Sequence, residues 1–325
     1  MIKSIKQSKR LSDLSDEYNL SFLVLSGELD TGLQMRIRQV LRDGYYRGSR
    51  PPLTALQPYE SSIVSKRMNN GVYIFNPLHL EVVRVFDLAT IHQLSDILRS
   101  FPAEFAEDNK TAFIHPGIYA SCLPHQLQQV RDLCFSYQVG GEYLAGYRLD
   151  TLRSTIRRLL RSATRTSSFG DTLAYTQAIS LAQIIRLLVC NDTSEDQMER
   201  DNEDMWALTH QLWQHAPTQL PSTLRPWQAW LFSESVRRTI MVCNILLAVY
   251  SSLNRGYAMH SLCVEALPFD VRTHLWDAET EEEWEVGASR TTGLSLVTLS
   301  QFTASQLVFS HGSRFEDLLV QAFKD

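Results

Sequence analysis

Glu234, Arg237 and Arg238 fall within one turn of the longest uninterrupted helical pattern in the chain, and they are its most distinctive charges. Spaced three and four residues apart, either guanidinium can reach the carboxylate along one helix face. Such a trio can clamp an anion, or it can form an ion network that ties neighbouring helices together. The network is the more frequent outcome wherever charge enters a core. A second constellation is basic. Arg153, Arg157, Arg161 and Arg165 recur every four residues, with Arg158 nearby, and could face phosphate or an acidic protein partner. Ser154, Ser162 and Thr164 between them favour a solvated helix face instead.

Other chemistries find no signature. The closest cysteines, Cys122 and Cys134, are too far apart for a compact zinc site, and Cys122 with His125 is half of one. His210 and His215 are five apart and do not stack on one helix face. GxSxG, GxGxxG and GxxxxGK are all missing from the sequence. No catalytic, cofactor-binding or metal-binding residue is therefore assigned and no cofactor is expected, which leaves catalysis open rather than excluded. The net charge of −5, from 31 basic and 36 acidic residues, carries no global footprint for nucleic acid or an anionic membrane. Five widely spaced cysteines, Cys122, Cys134, Cys190, Cys243 and Cys263, point to free, buried thiols in a reducing compartment. The N-terminus has no apolar run of the secretory kind; Lys3, Lys6, Lys9 and Arg10 read as a solvated tail ahead of a nuclear-import patch.

The element that must position the first trio runs from Arg225 to Gly256. Pro226 suits a first helical position, and Asn254-Arg255-Gly256 supplies a basic last turn and a closing glycine. Trp227, Trp230, Leu231, Glu234, Arg238, Met241, Ile245 and Val249 form one stripe, mostly apolar, with the carboxylate and guanidinium set into it. The apolar run Ile240–Tyr250 is about half the ~20 residues of a membrane span, so a central core helix is predicted, with the rest of the chain packed around it. Around it the patterns predict helices over Leu78–Ser100 (ended by Phe101-Pro102), from Leu123-Pro124 to Gly140-Gly141, over Glu142–Arg165, from an Asp171 cap to Leu188, and into Trp213. Two more are predicted over Leu294–Phe309 and Arg314–Phe323. The passage from Gly256 to about Thr291, including the acidic DAETEEEWE, reads as non-helical and pinned by Trp276 and Trp284. With no alternation of strands and helices, the predicted class is all-α, a multi-helix domain with long irregular loops.

Several phrases carry a further signal: FIHP and a following tyrosine within Thr111–Cys134, LAYTQAISLAQIIRLL at Leu173–Leu188, the tryptophan-led helix with ESxRRT at Glu234–Thr239, ALPFDVRTHLWDAETEEEW at Ala266–Trp284, and RFEDLLVQAFKD. In this order they resemble the regulatory (middle homology) domain of fungus-specific transcription factors. That resemblance runs from about Asn76 onward. It divides the chain into 1–75, an N-terminal extension with an amphipathic helix around Leu33–Tyr45 and a proline-containing loop at Arg47–Asn70, and 76–325, a helical regulatory domain. It implies a nuclear transcription-regulator module, controlling a metabolic or secondary-metabolite gene set through protein partners or a small effector, with no membrane role. The family supplies no catalytic residue to carry over. Trp230, Glu234, Arg237, Arg238, Trp276 and Trp284 are expected to form its structural and regulatory core. No cysteine precedes Cys122, so the two-zinc, six-cysteine cluster that reads DNA in such relatives is not expected here. The alternative is a cytoplasmic biosynthetic enzyme or small-molecule-binding protein on a co-opted scaffold of the same kind.

Overall fold

The computed structural model describes residues 81–119, 122–139, 145–166, 168–190, 192, 194–214, 224–290, 296–304 and 312–323. The helix expected around Leu33–Tyr45 and the loop at Arg47–Asn70 lie outside them. The described residues form a multi-helix, all-α domain with four short strands.

Chain order begins with β1 (Glu81–Arg84) and α1 (Leu88–Asp108). This departs from the single helix predicted over Leu78–Ser100. Val82 and Val83 suit a strand, and β1 pairs antiparallel with β2 (Ala258–Ser261), Glu81 opposite Ser261 and Arg84 opposite Ala258. Asp87 then caps α1 by accepting the Thr90 N–H at 2.7 Å. The helix also continues through Pro102, where it was expected to stop. Proline removes the hydrogen bond to the Leu98 carbonyl, but Leu98, Phe101, Pro102, Phe105 and Ala106 are all buried on that face, and their burial outweighs one lost bond. Asn109, with φ 55°, ends the helix in the left-handed region.

Helices α2 (His125–Val139) and α3 (Ala145–Ala163) lie inside their predicted limits, and α2 buries Leu127, Val130, Leu133 and Cys134. In α4 (Phe169–Ile184) the cap is Ser168, which accepts the Asp171 N–H; Asp171, expected to be the cap, supplies the acid of the first turn. A π-helical turn, Ile185–Val189, extends α4, and α5 (Glu195–Gln214) follows. The predicted central helix appears as α6 (Pro226–Arg255), with proline at its start and Gly256 at φ 75° closing it.

Yet α6 shares the centre. It packs on α1, α4, α5, β2 and β3, whereas α4 packs on α1, α2, α3, α5 and α6, with α2 also against α1 and α3 also against α5. Both α4 with its π turn and α6 have the length and hydropathy of a membrane-crossing segment, and in each 83% of that window is buried against the rest of the fold. Their apolar surface is satisfied by neighbouring helices.

After α6 come α7 (Leu262–Glu265), β3 (Pro268–Asp270), a 3-10 turn (Thr273–Asp277) and α8 (Glu281–Ser289). The acidic passage expected to be non-helical is therefore partly helix. Thr280 accepts the Glu283 N–H at 3.2 Å, and Glu281, Glu282 and Glu283 fill the first turn, where carboxylates meet the positive end of the helix dipole. Of the helix predicted over Leu294–Phe309, the described part is β4 (Leu296–Thr298), paired antiparallel with β3, and then α9 (Leu299–Ala304); 294–295 and 305–309 lie outside the described residues. Finally α10 (Arg314–Phe323) matches its prediction and packs on α1.

Candidate functional site around Arg238

The N-terminal half of α6 delivers the charged trio into a dry interior. Glu234 is fully buried, and its Oε1 accepts from Arg237 Nη1 at 3.0 Å and from the Asp270 N–H at 3.2 Å. Its Oε2 accepts from Arg238 Nε at 3.3 Å. Arg238, 1% exposed, donates from Nη1 to the Ala112 carbonyl at 3.2 Å, and its guanidinium lies between the rings of Trp276 (4.2 Å) and Phe315 (4.3 Å). Burial lowers the Arg238 pKa, opposed by the charges of Glu234, Asp270 and Asp277. Arg238 Nη2 has no hydrogen-bond partner.

A tryptophan layer frames this centre. Trp276 donates from its indole to the Thr111 carbonyl at 2.8 Å, and Trp230 donates to Asp270 at 2.9 Å. The Trp230 ring meets those of Trp276 and Trp284 at 6.4 and 5.9 Å. Asp270 is held in turn by the Arg272 guanidinium, at 2.9 Å from Nε and 2.7 Å from Nη2. The FIHP turn supplies the other wall. Thr111 accepts the N–H groups of Phe113 and Ile114 through its hydroxyl. Gln177 of α4 and Ser235 of α6 both donate to the Phe113 carbonyl at 3.0 Å. His115 packs edge-on to Trp276 and accepts the Gly117 N–H on Nδ1 at 3.0 Å. A Cβ at Gly117 would come within 3.0 Å of that nitrogen and 3.1 Å of Leu231, so the turn needs glycine for close approach. Burial, reinforced by Lys110 and Arg238, pulls the His115 pKa down to about 4.

The structure therefore brings Trp230, Glu234, Arg237, Arg238, Trp276 and Trp284 together, and it adds Thr111, Ala112, His115, Gln177, Asp270 and Phe315. All six additions stood inside phrases already singled out, but no spacing rule links them to α6.

Beside this centre lies a cavity of about 300 Å³, lined in part by Lys110, Thr111, Arg238, Trp276, Arg314 and Phe315. A second, of about 440 Å³, lies between α3 and α5 and mixes Arg157, Arg161 and Arg200 with Asp201 and Asp204. Among the described residues, neither lining includes a histidine or a cysteine.

The arginine stripe divides. Arg157, Arg161 and Arg165 are exposed, whereas Arg153 joins an ion network that the sequence did not reveal. Arg186, fully buried on the π turn, donates to Asp192 at 2.6 Å and to Asp201, and Arg153 donates to Asp192 from Nε at 2.9 Å. Burial pushes the Asp192 carboxyl upward, but the bonds from Arg153, Arg186 and Ser194 outweigh it and hold its pKa well below the usual carboxylate range. Arg153 thus fastens α3 to the α4–α5 connection. Cys134 and Cys243 are buried free thiols as expected, but Cys122 is exposed.

With this geometry in view, comparison with known proteins is informative. The chain is similar to a fungal transcription factor. It is 26% identical over 200 residues to the transcription factor gsfR2 of Penicillium aethiopicum, covering 58% of this chain and 48% of that protein. The chain thus spans about half the length of the curated relative it matches. No family description matches, and no solved structure does.

The tryptophans and the acidic turn make separable contributions. Trp276→Ala is expected to lower the melting temperature by roughly 10 °C, since a buried ring, an indole bond and one face of the Arg238 sandwich go together. Converting Glu281, Glu282 and Glu283 to glutamine should cost a few degrees at most, because Glu282 and Glu283 are exposed and Glu281 pairs with the exposed Arg225. The reverse ranking in thermal melts would show that charge, not the rings, holds this segment.

Proposed function

We propose that this chain is a helical regulatory module of the fungal transcription-factor kind. In this reading it works in the nucleus on a metabolic or secondary-metabolite gene set, through protein partners or a small effector rather than by reading bases itself. The observation that carries the reading is the 26% identity over 200 residues to a transcription factor. The geometry supports it indirectly. The phrases that resemble the middle homology domain come from distant parts of the sequence, yet their side chains meet around Arg238: the FIHP turn, Gln177, Glu234–Thr239, Trp276 and Phe315. Exposed Arg157, Arg161 and Arg165 offer a surface for an acidic partner.

Fusing the full chain to a heterologous DNA-binding domain and reading a reporter in a fungal host tests regulation directly. A reporter change of several-fold is expected. Output equal to that of the DNA-binding domain alone would remove the regulatory reading.

The second expectation is that the chain as it stands does not select a DNA sequence. Reading bases takes side chains delivered into a groove, with phosphate contacts to fix the register. The exposed Arg157, Arg158 and Arg161 of α3, with Arg165 just beyond it, can give only weak attraction to a polyanion, and that attraction falls steeply with salt. By fluorescence anisotropy at about 150 mM salt, binding should be undetectable or indifferent to sequence. A preference of ~1,000-fold for one duplex would contradict this.

A further inference from the structure

We propose that the cavity beside Arg238 is a binding site for a small monocarboxylate, anchored by the Arg238 guanidinium. Three observations lead there. The first is an unmet hydrogen-bonding demand. Arg238 Nε is committed to Glu234 and Nη1 to the Ala112 carbonyl, while Nη2 is buried without a partner. Buried donors are nearly always satisfied, and a charged one left open is costly, so this nitrogen calls for an acceptor. Neither ring face of the sandwich offers a strong one.

The second is location. Arg238 lines a cavity of about 300 Å³ together with Thr111, Ala112, Trp276 and Phe315, at the small end of the range for ligand sites. Aromatic walls with one buried cation suit an organic acid. A carboxylate oxygen supplies what Nη2 lacks, in the charge-assisted geometry that arginine favours.

The third is charge at the lining. Lys110 pairs with Asp277 at 3.3 Å and Arg314 with Glu104 at 3.7 Å, and Asp108 stands beside them. Cations and carboxylates are equal in number there, three of each with Arg238 counted. A polyanion such as citrate or a phosphate ester would meet three carboxylates. One negative charge on an uncharged body fits, with the Ser313 hydroxyl at hand for a polar substituent.

Binding requires nothing of the regulatory reading; only calling the acid an effector rests on it. The test uses the purified full chain and four probes, benzoate, 4-hydroxybenzoate, lactate and hexanoate, each at 10 mM beside its own amide and sodium chloride of equal ionic strength. Ligand-linked stabilisation should raise the melting temperature by a few degrees for at least one acid and not for its amide. Arg238→Gln should abolish the shift. Because that variant can fail to fold, Lys110→Glu and Arg314→Glu serve as the second arm. Both sit at the rim, and each should weaken the acid's Kd by at least tenfold in titration calorimetry. No acid exceeding its amide, or a shift undiminished in both rim variants, overturns the proposal. Neither result touches the reporter assay, so the site and the regulatory reading fail separately.

Discussion

Arg238→Ala is expected to lower folding stability by about 3 to 5 kcal/mol. The magnitude follows from what remains rather than from what the ion pair contributes. Glu234 would keep Arg237 and the Asp270 N–H, but its Oε2 would be left in a dry site with no donor. The Ala112 carbonyl would lose its partner as well, and Trp276 and Phe315 would face a void where the guanidinium now lies. Arg237→Ala should cost less, since Glu234 retains its other donors. The Glu234→Ala/Arg238→Ala double variant should recover part of the loss, though not all, because Arg237 then loses its own carboxylate. Denaturant titrations of the singles and the double measure the coupling. Simple additivity with a small Arg238 effect would sink the buried-network account.

Acid should destabilise the protein through His115. The ring sits at about 4 in the folded chain, against an ordinary value of 6.5. Between those values the unfolded chain takes up a proton that the folded chain refuses, so stability falls as pH drops from about 6.5 and this loss levels off near 4. Up to roughly 3 kcal/mol is at stake. His115→Asn keeps an acceptor near the Gly117 N–H and removes the titration. The difference between wild-type and variant stability, measured from pH 7.5 to 4, isolates the ring from the carboxylates that titrate lower in the same range. If the two curves run parallel, His115 is not the group responsible.

Much of this fold was readable and the reasons are local. The limits of α6 rest on Pro226 and Gly256, and the burial of α10 on its amphipathic pattern; both signals sit within a few residues of the feature they specify. The misreadings also have physical causes. Stopping a helix at Pro102 weighed one hydrogen bond against nothing, when the buried face of Phe101 and Phe105 was the larger quantity. Thr280 with Glu283 three residues on is a capping signature, and it outweighs the run of acids that makes this passage read as non-helical. The strands β1 and β4 owe their existence to partners far away in sequence, which no local pattern can announce. At the site, the trio on α6 was visible as a spacing. Its partners were not, because two of them are backbone groups, the Ala112 carbonyl and the Asp270 N–H, and backbone carries no letter in a sequence. The Arg186–Asp192–Asp201 network escaped for a related reason: its arginine lies in a π turn, off the helical spacing used to group charges.

The sandwich around Arg238 also imposes an order on biosynthesis. Its carbonyl comes from Ala112, its carboxylate from Glu234 and its two rings from Trp276 and Phe315. Synthesis runs from the N-terminus, so the guanidinium emerges well before either ring. At the usual pace of a ribosome, several seconds or more separate Arg238 from Phe315. During that interval the N-terminal half of α6 can already meet the Phe113 and Ala112 carbonyls and Gln177, while the rings that cover the guanidinium are still missing. A chain cut just before Phe315 would still hold Glu234, the Ala112 carbonyl and Trp276 for Arg238 but would lack the second ring over its guanidinium, so α10 is the last-made piece of a site whose polar bonds come from residues made earlier.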